Sequence, residues 1–405
     1  MAVNLKTPQS LMPIKGIKLA SIEANIRYQN RDDLLLLTLC EGSSVAAVFT
    51  QNKYCAAPVL VAREHLAASD IRALLINSGN ANAGTGQLGL DNTRLSCQAV
   101  ASALGLNSTQ VLPFSTGVIG EQLAMDKLVS GVNSAAQALG DSDWLKAAET
   151  IMTTDTIAKG VSEQVDINGT LVTITGIAKG SGMVCPNMAT LLSYVATDVV
   201  IPQELLQDFL NKGVEKSFNR ITVDSDTSTN DALVLMATGT SGVVIESYED
   251  DQAIVFNACL QDVLIKLATA IVRDAEGATK FVNVVVSGGD TLEDCSAVAY
   301  SVAHSPLVKT ALFASDPNWG RILMAIGKSD VEQLDVTKID ITINEQPLIE
   351  SGQPASSYSE EVGQKVFQEA EIVIEVDLNQ GGYSHNVWTS DLSHEYVSIN
   401  ADYRS

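Results

Sequence analysis

The segment from Gly176 to Leu192 places a hydroxyl side chain directly after a turn rich in glycine and proline. Thr190 follows the small Ala189 and enters an apolar run. A Thr hydroxyl can attack the preceding carbonyl where the backbone is strained, and water then cleaves the resulting ester. The freed α-amine has a pKa of about 8, so it can act as the base for its own hydroxyl. From pattern alone, a loop entering a buried strand competes with this interpretation.

Other common catalytic sites fail at identifiable positions. A Gly-Lys-Ser run at 327–329 ends like a phosphate-binding loop, but Ile322 stands where that motif needs glycine. A His-Glu pair at 394–395 begins like a zinc-protease helix, but Ser398 stands at the partner position. The chain has no GxSxG motif, and its four histidines and six cysteines are dispersed. We therefore predict no metal site.

The composition favours a large globular enzyme. The 405 residues are 46% hydrophobic and 18% charged, which suggests two domains, and the net charge of −23 argues against nucleic-acid binding. The cysteines form no CxxC pair, which favours a reducing compartment. The N-terminus lacks the layout of a signal peptide, and apolar stretches such as 34–37 are too short to span a bilayer. We expect a cytoplasmic protein without a membrane partner.

Hydrophobic periodicity predicts alternating strands and helices, hence an α/β or α+β fold with mixed sheets. A Gly-rich turn is expected at 176–186, and a domain boundary near residue 280, which divides the chain into 1–280 and 281–405. Helices are predicted at 91–104, 122–139 and 261–272. Strands are predicted at 34–40, 45–50, 71–77, 171–175, 281–286, 341–344, 371–376 and 397–400.

A series of short motifs, all in order along the chain, closely resembles the ornithine acetyltransferase (glutamate N-acetyltransferase) family of arginine biosynthesis. Each motif alone is weak, whereas the ordered set is specific and covers essentially the whole chain. The motifs lie at 77–86, 115–120, 153–156, 176–192, 224–231, 273–280, 316–321 and 400–405.

The resemblance implies an αββα-like sandwich with a second, smaller C-terminal α/β domain. It also implies self-cleavage between Ala189 and Thr190, which gives chains 1–189 and 190–405 that assemble as an α2β2 heterotetramer. By the same resemblance, Thr190 is the nucleophile, and Thr116 and Gly117 form the oxyanion hole.

The substrate-binding residues are also implied by the resemblance alone. Lys179 suits the α-carboxylate of an amino acid, and Glu276 suits the side-chain ammonium of ornithine. Considered singly, these residues have ordinary interpretations as well, such as a solvated lysine, a surface glutamate, a polar turn at 115–117 or a frayed C-terminus. The full implied set is Thr153, Lys179, Thr190, Glu276, Asn400 and Ser405.

The resemblance implies an enzyme that moves acetyl from N2-acetyl-L-ornithine to L-glutamate through an acetyl-Thr190 intermediate. No cofactor is needed, although some family members also accept acetyl-CoA as donor. Three positions depart from the family pattern: Leu191 replaces a common Met, Ser225 an expected Gly, and Ser405 a common Thr. Two alternatives remain open, an N-terminal-nucleophile amidohydrolase or aminopeptidase, and a non-enzymatic amino-acid-binding protein.

Overall fold

The computed structural model describes residues 2–141, 143–185 and 191–402, and the chain forms two compact units. The sandwich unit comprises 7–219 and 227–271, and the six-stranded unit comprises the described parts of 1–6, 220–226 and 272–405. The strands of the sandwich unit are β1 Ile17–Ile22, β2 Leu34–Leu39, β3 Ser44–Phe49, β4 Ala73–Asn80, β5 Val111–Val118, β6 Gly140–Asp141, β7 Lys159–Ile167, β8 Thr170–Lys179, β9 Leu192–Thr197 and β10 Ala232–Ala237. Its helices are α1 Ala57–Ala68, α2 Gly86–Leu104, α3 Met125–Ala138, α4 Trp144–Thr150, α5 Gln203–Glu215 and α6 Asp251–Arg273, whose last two residues belong to the other unit.

The sandwich unit contains two five-stranded mixed sheets. The first has the order β5-β4-β2-β1-β6 and the second has the order β3-β10-β9-β8-β7. The β4–β5 and β9–β10 pairs are parallel, and the other pairs are antiparallel. One apolar core takes side chains from both sheets, among them Leu37, Phe114, Tyr194 and Val234, so the sheets pack face to face.

Helices cover the outer faces of both sheets. Side chains of α2 and α3, such as Val100 and Leu128, join Leu34 and Leu36 of β2 in a second core. On the other sheet, α5 and α6 pack together, with the Phe209 and Phe256 rings 5.4 Å apart between centroids. The layers therefore follow the order helix, sheet, sheet, helix, which confirms the predicted αββα-like fold.

Strand β8 is longer than the sequence pattern indicates. We expected a turn from residue 176, but β8 continues to Lys179. Gly176 lies within this strand, and a Cβ at that position would come within 2.7 Å of the Leu267 side chain on α6. Close helix-to-strand packing, not a turn, explains this glycine.

Helix α6 is long and apolar enough to cross a membrane by length and composition, with a mean hydropathy of 1.6 over an 18-residue window. This exceeds the sequence expectation of short apolar stretches only. Its apolar face packs inside the sandwich unit, since Leu264 lies against Gly213 of α5 and Leu267 against Gly176. Buried core helices commonly have this composition.

The six-stranded unit carries a mixed sheet with the order β14-β13-β12-β15-β11-β16. An apolar core of this unit joins buried side chains such as Val284, Ile374, Val298 and Ile326. Its strands are β11 Phe281–Gly289, β12 Asp340–Ile343, β13 Gln346–Glu350, β14 Gln353–Pro354, β15 Glu371–Asp377 and β16 Tyr383–Ser390. Its helices are α7 Leu292–Ala303, α8 Pro306–Phe313, α9 Trp319–Gly327, α10 Glu360–Phe367 and α11 His394–Ala401.

The predicted strand at 397–400 is wrong, because these residues lie in α11. The alternating apolar residues suggested a half-buried strand, yet Val397 is 64% exposed. Strand preference reflects packing on a sheet surface, and an exposed β-branched residue does not gain that packing. As a consequence, Tyr396 and Asn400 lie one helical turn apart, and Asn400 Nδ2 donates to Tyr396 O at 3.0 Å.

Candidate active site

Thr116 and Gly117 lie near the end of β5, where it pairs with β4. The register places Thr116 opposite Ser78 and Gly117 opposite Gly79. Gly117 has a φ of 133°, and a Cβ there would lie 2.2 Å from the Gly79 carbonyl carbon. Only glycine fits, so the segment is a constrained strand end and not the ordinary polar turn that local pattern favoured.

A buried polar network fixes this strand end. Ser115 Oγ donates to Asn77 Oδ1 at 2.6 Å, and Asn77 Nδ2 donates to Asn80 O at 2.9 Å. Asn230 Nδ2 donates to the carbonyls of Ser115, at 2.9 Å, and Ala81, at 2.6 Å. Satisfied buried networks of this kind hold a backbone in one geometry, which an oxyanion hole requires.

Lys179 brings the second sheet of the sandwich unit to this point. As the last residue of β8, it donates from Nζ to Thr116 Oγ1 at 3.0 Å. Thr116 is buried, while Lys179 is only partly buried. Two residues that the sequence assigned to different tasks, oxyanion stabilisation and substrate binding, are therefore in direct contact.

Asp155 connects the predicted substrate residue Thr153 with the end of β8. Its carboxylate accepts from the Thr153 amide at 3.0 Å, the Gly180 amide at 2.7 Å and Lys159 Nζ at 2.6 Å. Burial by itself raises the pKa of Asp155, but Lys159, Lys179 and the Gly180 amide outweigh it and hold that pKa well below its usual range. The carboxylate is thus charged and its position is fixed.

Asp231 is a second buried acid, immediately before β10. The next residue pairs with the residue before β9, since Ala232 N donates to Leu191 O at 2.9 Å. Burial raises the pKa of the carboxyl well above its usual range, although Ser228, Lys179 and the Leu191 amide act in the opposite direction. Among the described residues, Asp231 Oδ2 finds no hydrogen-bond partner. An acid with a raised pKa therefore lies beside Leu191, the residue that follows Thr190 in the chain.

The six-stranded unit carries a separate polar group. Asn400 Nδ2 donates to Glu276 Oε2 at 2.7 Å, and Tyr396 Oη donates to Asp224 Oδ2 at 3.0 Å. Burial and the charges of Asp224, Glu276 and Asp226 raise the pKa of Tyr396, so its hydroxyl keeps its proton. The structure thus brings the predicted Glu276 and Asn400 together beside further acidic groups.

Ser225, one of the three departures from the family pattern, lies in the same unit and has an unusual backbone conformation. Ser225, where glycine is expected, has a φ of 64°. This is the left-handed region that glycine adopts without strain, so the turn keeps the backbone conformation at some cost to the serine.

Three predicted site residues, Ala189, Thr190 and Ser405, lie outside the described residues. Asp155 and Asp231 are two buried acids of the site for which sequence reasoning predicted no role. The sequence carries a signal for Asp231, because an acid directly precedes the uncharged strand β10 and is therefore expected near the core. The burial of Asp155 has no such local signal and depends on its ion pair with Lys159. Within the described ranges, no group of three or more acidic, histidine or cysteine side chains could hold a metal ion.

The site lies in an αββα sandwich and combines a constrained strand end at Gly117 with a lysine, Lys179, that contacts Thr116. This combination is typical of an acyl-transfer enzyme. The chain matches the model of the ArgJ family over residues 18–405. It is 48% identical to the arginine biosynthesis bifunctional protein ArgJ of Pseudomonas syringae pv. tomato, and 50% identical to that of Psychrobacter arcticus. Both alignments cover the full length of both proteins.

Solved structures give smaller overlaps. The arginine biosynthesis bifunctional protein ArgJ of Bacillus halodurans is 38% identical, with a TM-score of 0.49 over 51% of this chain and 97% of that chain. An ornithine acetyltransferase from Mycobacterium tuberculosis, complexed with ornithine, is 35% identical, with a TM-score of 0.39 over 44% of this chain and 94% of that chain.

The chain belongs to the ArgJ family. This confirms the resemblance found in the sequence motifs, and with it the prediction of an enzyme of arginine biosynthesis, a glutamate N-acetyltransferase.

Proposed function

We propose that the chain cleaves itself between Ala189 and Thr190, and that the new N-terminal Thr190 transfers acetyl from N2-acetyl-L-ornithine to L-glutamate. The observation that carries this proposal is the end of β5, where Thr116 and the constrained Gly117 lie beside Lys179. Such an arrangement of a hydroxyl, a backbone amide and a cation suits the developing negative charge of an acyl-transfer intermediate.

The cycle has two halves. Thr190 Oγ attacks the acetyl carbonyl with the α-amine of the same residue as base, the oxyanion is held by Thr116 and Gly117, and ornithine leaves. L-Glutamate then takes the acetyl group from Thr190 through its own α-amine. One oxyanion donor contributes about 3 kcal/mol to transition-state stabilisation in comparable enzymes.

Substrate recognition divides according to charge. We assign Lys179 to the α-carboxylate of the amino-acid substrates, and Glu276, with Asn400, to the side-chain ammonium of ornithine. Thr153 and Ser405 are assigned to further substrate contacts. The Glu276–Asn400 hydrogen bond of 2.7 Å supports this grouping, because it orients the carboxylate before an ammonium group arrives.

We propose no resident cofactor for this reaction. The relatives are named bifunctional, which supports acetyl-CoA as a second acetyl donor to the same Thr190. We further propose that the cut chains assemble as a cytoplasmic α2β2 heterotetramer.

The cut is tested by denaturing mass spectrometry of wild type, Thr190→Ala and a control, Thr170→Ala, at the exposed first residue of β8. A cut after residue 189 of the 405 leaves a second fragment of 216 residues. We expect two fragments from wild type and from the control, and one intact chain from Thr190→Ala. An intact wild-type chain would refute the proposal and favour a non-enzymatic binding protein.

The acyl acceptor is tested separately. Ornithine release from N2-acetyl-L-ornithine is measured with and without L-glutamate, and N-acetylglutamate is quantified in parallel. We expect steady turnover only with glutamate, and a single burst of ornithine without it. Release that does not depend on glutamate would identify an amidohydrolase instead.

A further inference from the structure

Lys179 and Thr116 form a hydrogen bond with only one possible direction. An ammonium group has three donors and no acceptor, so Lys179 Nζ donates and Thr116 Oγ1 accepts, across 3.0 Å. The threonine hydroxyl keeps its own proton and can donate it elsewhere. The contact thus leaves Thr116 as a donor whose oxygen is already engaged by a positive charge.

The backbone at Lys179 is fixed from the other side. Gly180, the next residue, donates its amide to Asp155 Oδ1 at 2.7 Å, and the same oxygen accepts from Lys159 at 2.6 Å. The Asp155 and Lys159 side chains are fully buried, so this anchor is shielded from solvent. The Lys179 charge is also one of the causes that lower the pKa of Asp155, which means that the two charges attract.

We propose that Lys179 is a positioning residue for acyl transfer and acts through Thr116. Its ammonium directs the Thr116 hydroxyl proton toward the developing oxyanion and polarises that O–H bond. A charge-assisted bond to a hydroxyl oxygen makes that hydroxyl a better donor in turn. This inference rests on the proposed function and deepens it, and it assigns Lys179 to the Thr116 hydroxyl in place of the substrate α-carboxylate.

The sequence-based role of Lys179 makes a different kinetic prediction. A lysine that binds the substrate α-carboxylate contributes equally to ground state and transition state, so its loss raises KM. A lysine that acts through the oxyanion hole contributes to the transition state, so its loss lowers the rate at saturation. Only the second role requires Thr116.

A double-mutant cycle separates the two roles. Lys179→Met, Thr116→Val and the double variant are compared with wild type, and acetylation of the 190–405 fragment by saturating N2-acetyl-L-ornithine is followed by mass in a single turnover. We expect Lys179→Met to slow acetylation by roughly 10- to 100-fold when Thr116 is present, and by less than about 3-fold when it is absent. Lys266→Met, which removes an exposed lysine of α6, is the control and should leave the rate unchanged.

If Lys179→Met does not fold or does not cleave itself, Lys179→Gln replaces it in the cycle, because the amide keeps a donor without the charge. Multiplicative rate effects of the two substitutions, or a raised KM with an unchanged rate at saturation, would overturn the inference alone. A wild-type enzyme that forms no acetyl-Thr190 would instead overturn the proposed function.

Discussion

At the scale of single residues, Asp231 is a carboxyl group whose burial favours the protonated form. Its pKa lies well above its usual range, and its Oδ2 has no partner among the described residues. Because the folded protein retains a proton that the unfolded chain releases above a pH of about 4, Asp231 makes folding less favourable as the pH rises.

We therefore expect Asp231→Asn to gain stability relative to wild type as the pH rises above about 4. The gain should not exceed about 1.4 kcal/mol per pH unit, because one proton is involved. Denaturant unfolding at several pH values measures it. Asp126→Asn, at an exposed carboxyl of α3, is the control and should show a constant difference. A constant difference for Asp231→Asn as well would contradict a raised pKa of Asp231.

At the scale of elements, the Asp155–Lys159 ion pair joins the start of β7 to the end of β8. The side chains are fully buried, and the N–O distance is 2.6 Å. A buried charge that loses its partner stays desolvated without compensation, whereas an exposed pair loses little. The pair holds the Thr153 and Gly180 amides in place through one carboxylate.

Asp155→Asn should lower the free energy of unfolding by about 3–5 kcal/mol near neutral pH. The control is Glu163→Gln, which breaks the exposed Lys266–Glu163 pair, also at 2.6 Å, and should cost at most about 1 kcal/mol. Since the pKa of Asp155 is lowered, the contribution is present above a pH of about 4 and is lost as the pH falls further. Equal losses for the two variants would show that burial of the pair does not matter.

At the scale of the whole molecule, the six-stranded unit carries two histidines with lowered pKa values. Burial, followed by the charges of Lys309 and Lys328, lowers the pKa of His304 to about 4, and burial followed by Arg220 lowers that of His385 to about 4. The unfolded chain takes up protons near pH 6.5 that the folded unit does not accept. The stability of this unit should therefore fall as the pH decreases from about 6.5 toward 4.

This pH dependence can be measured by tryptophan fluorescence in a Trp144→Phe background, which leaves Trp319 and Trp388, both in the six-stranded unit. We expect the unfolding midpoint of that unit to fall between pH 7 and pH 5, and His385→Leu to reduce the fall. His394→Gln, at an exposed position of α11, is the control and should leave the fall unchanged. A midpoint that does not depend on pH in this range would show that neither histidine resists protonation.

The sequence determined the periodic elements and the family. The apolar strand at 34–39, the amphipathic part of α6 and the ordered motifs all depend on neighbours along the chain, so local pattern was sufficient for them. Local pattern failed at Gly176, where close packing against α6 explains a glycine within a strand. It also failed in α11, where no packing on a sheet favours the strand that the pattern predicted.

The contacts within the candidate site were decided by tertiary structure. The sequence motifs predicted Thr116, Lys179 and Glu276 as site residues, but they did not predict which of them are in contact. The Lys179–Thr116 hydrogen bond joins strands of two different sheets, and the two residues are 63 positions apart in sequence. The opposite pKa shifts of Asp155 and Asp231 likewise follow from what surrounds each carboxyl. Both are buried, and within the described part of the chain only Asp155 has a cation, Lys159 Nζ, within hydrogen-bond distance. The residue type determines which chemical group is available. The burial and the neighbouring charges that set the pKa of that group arise only when the chain folds.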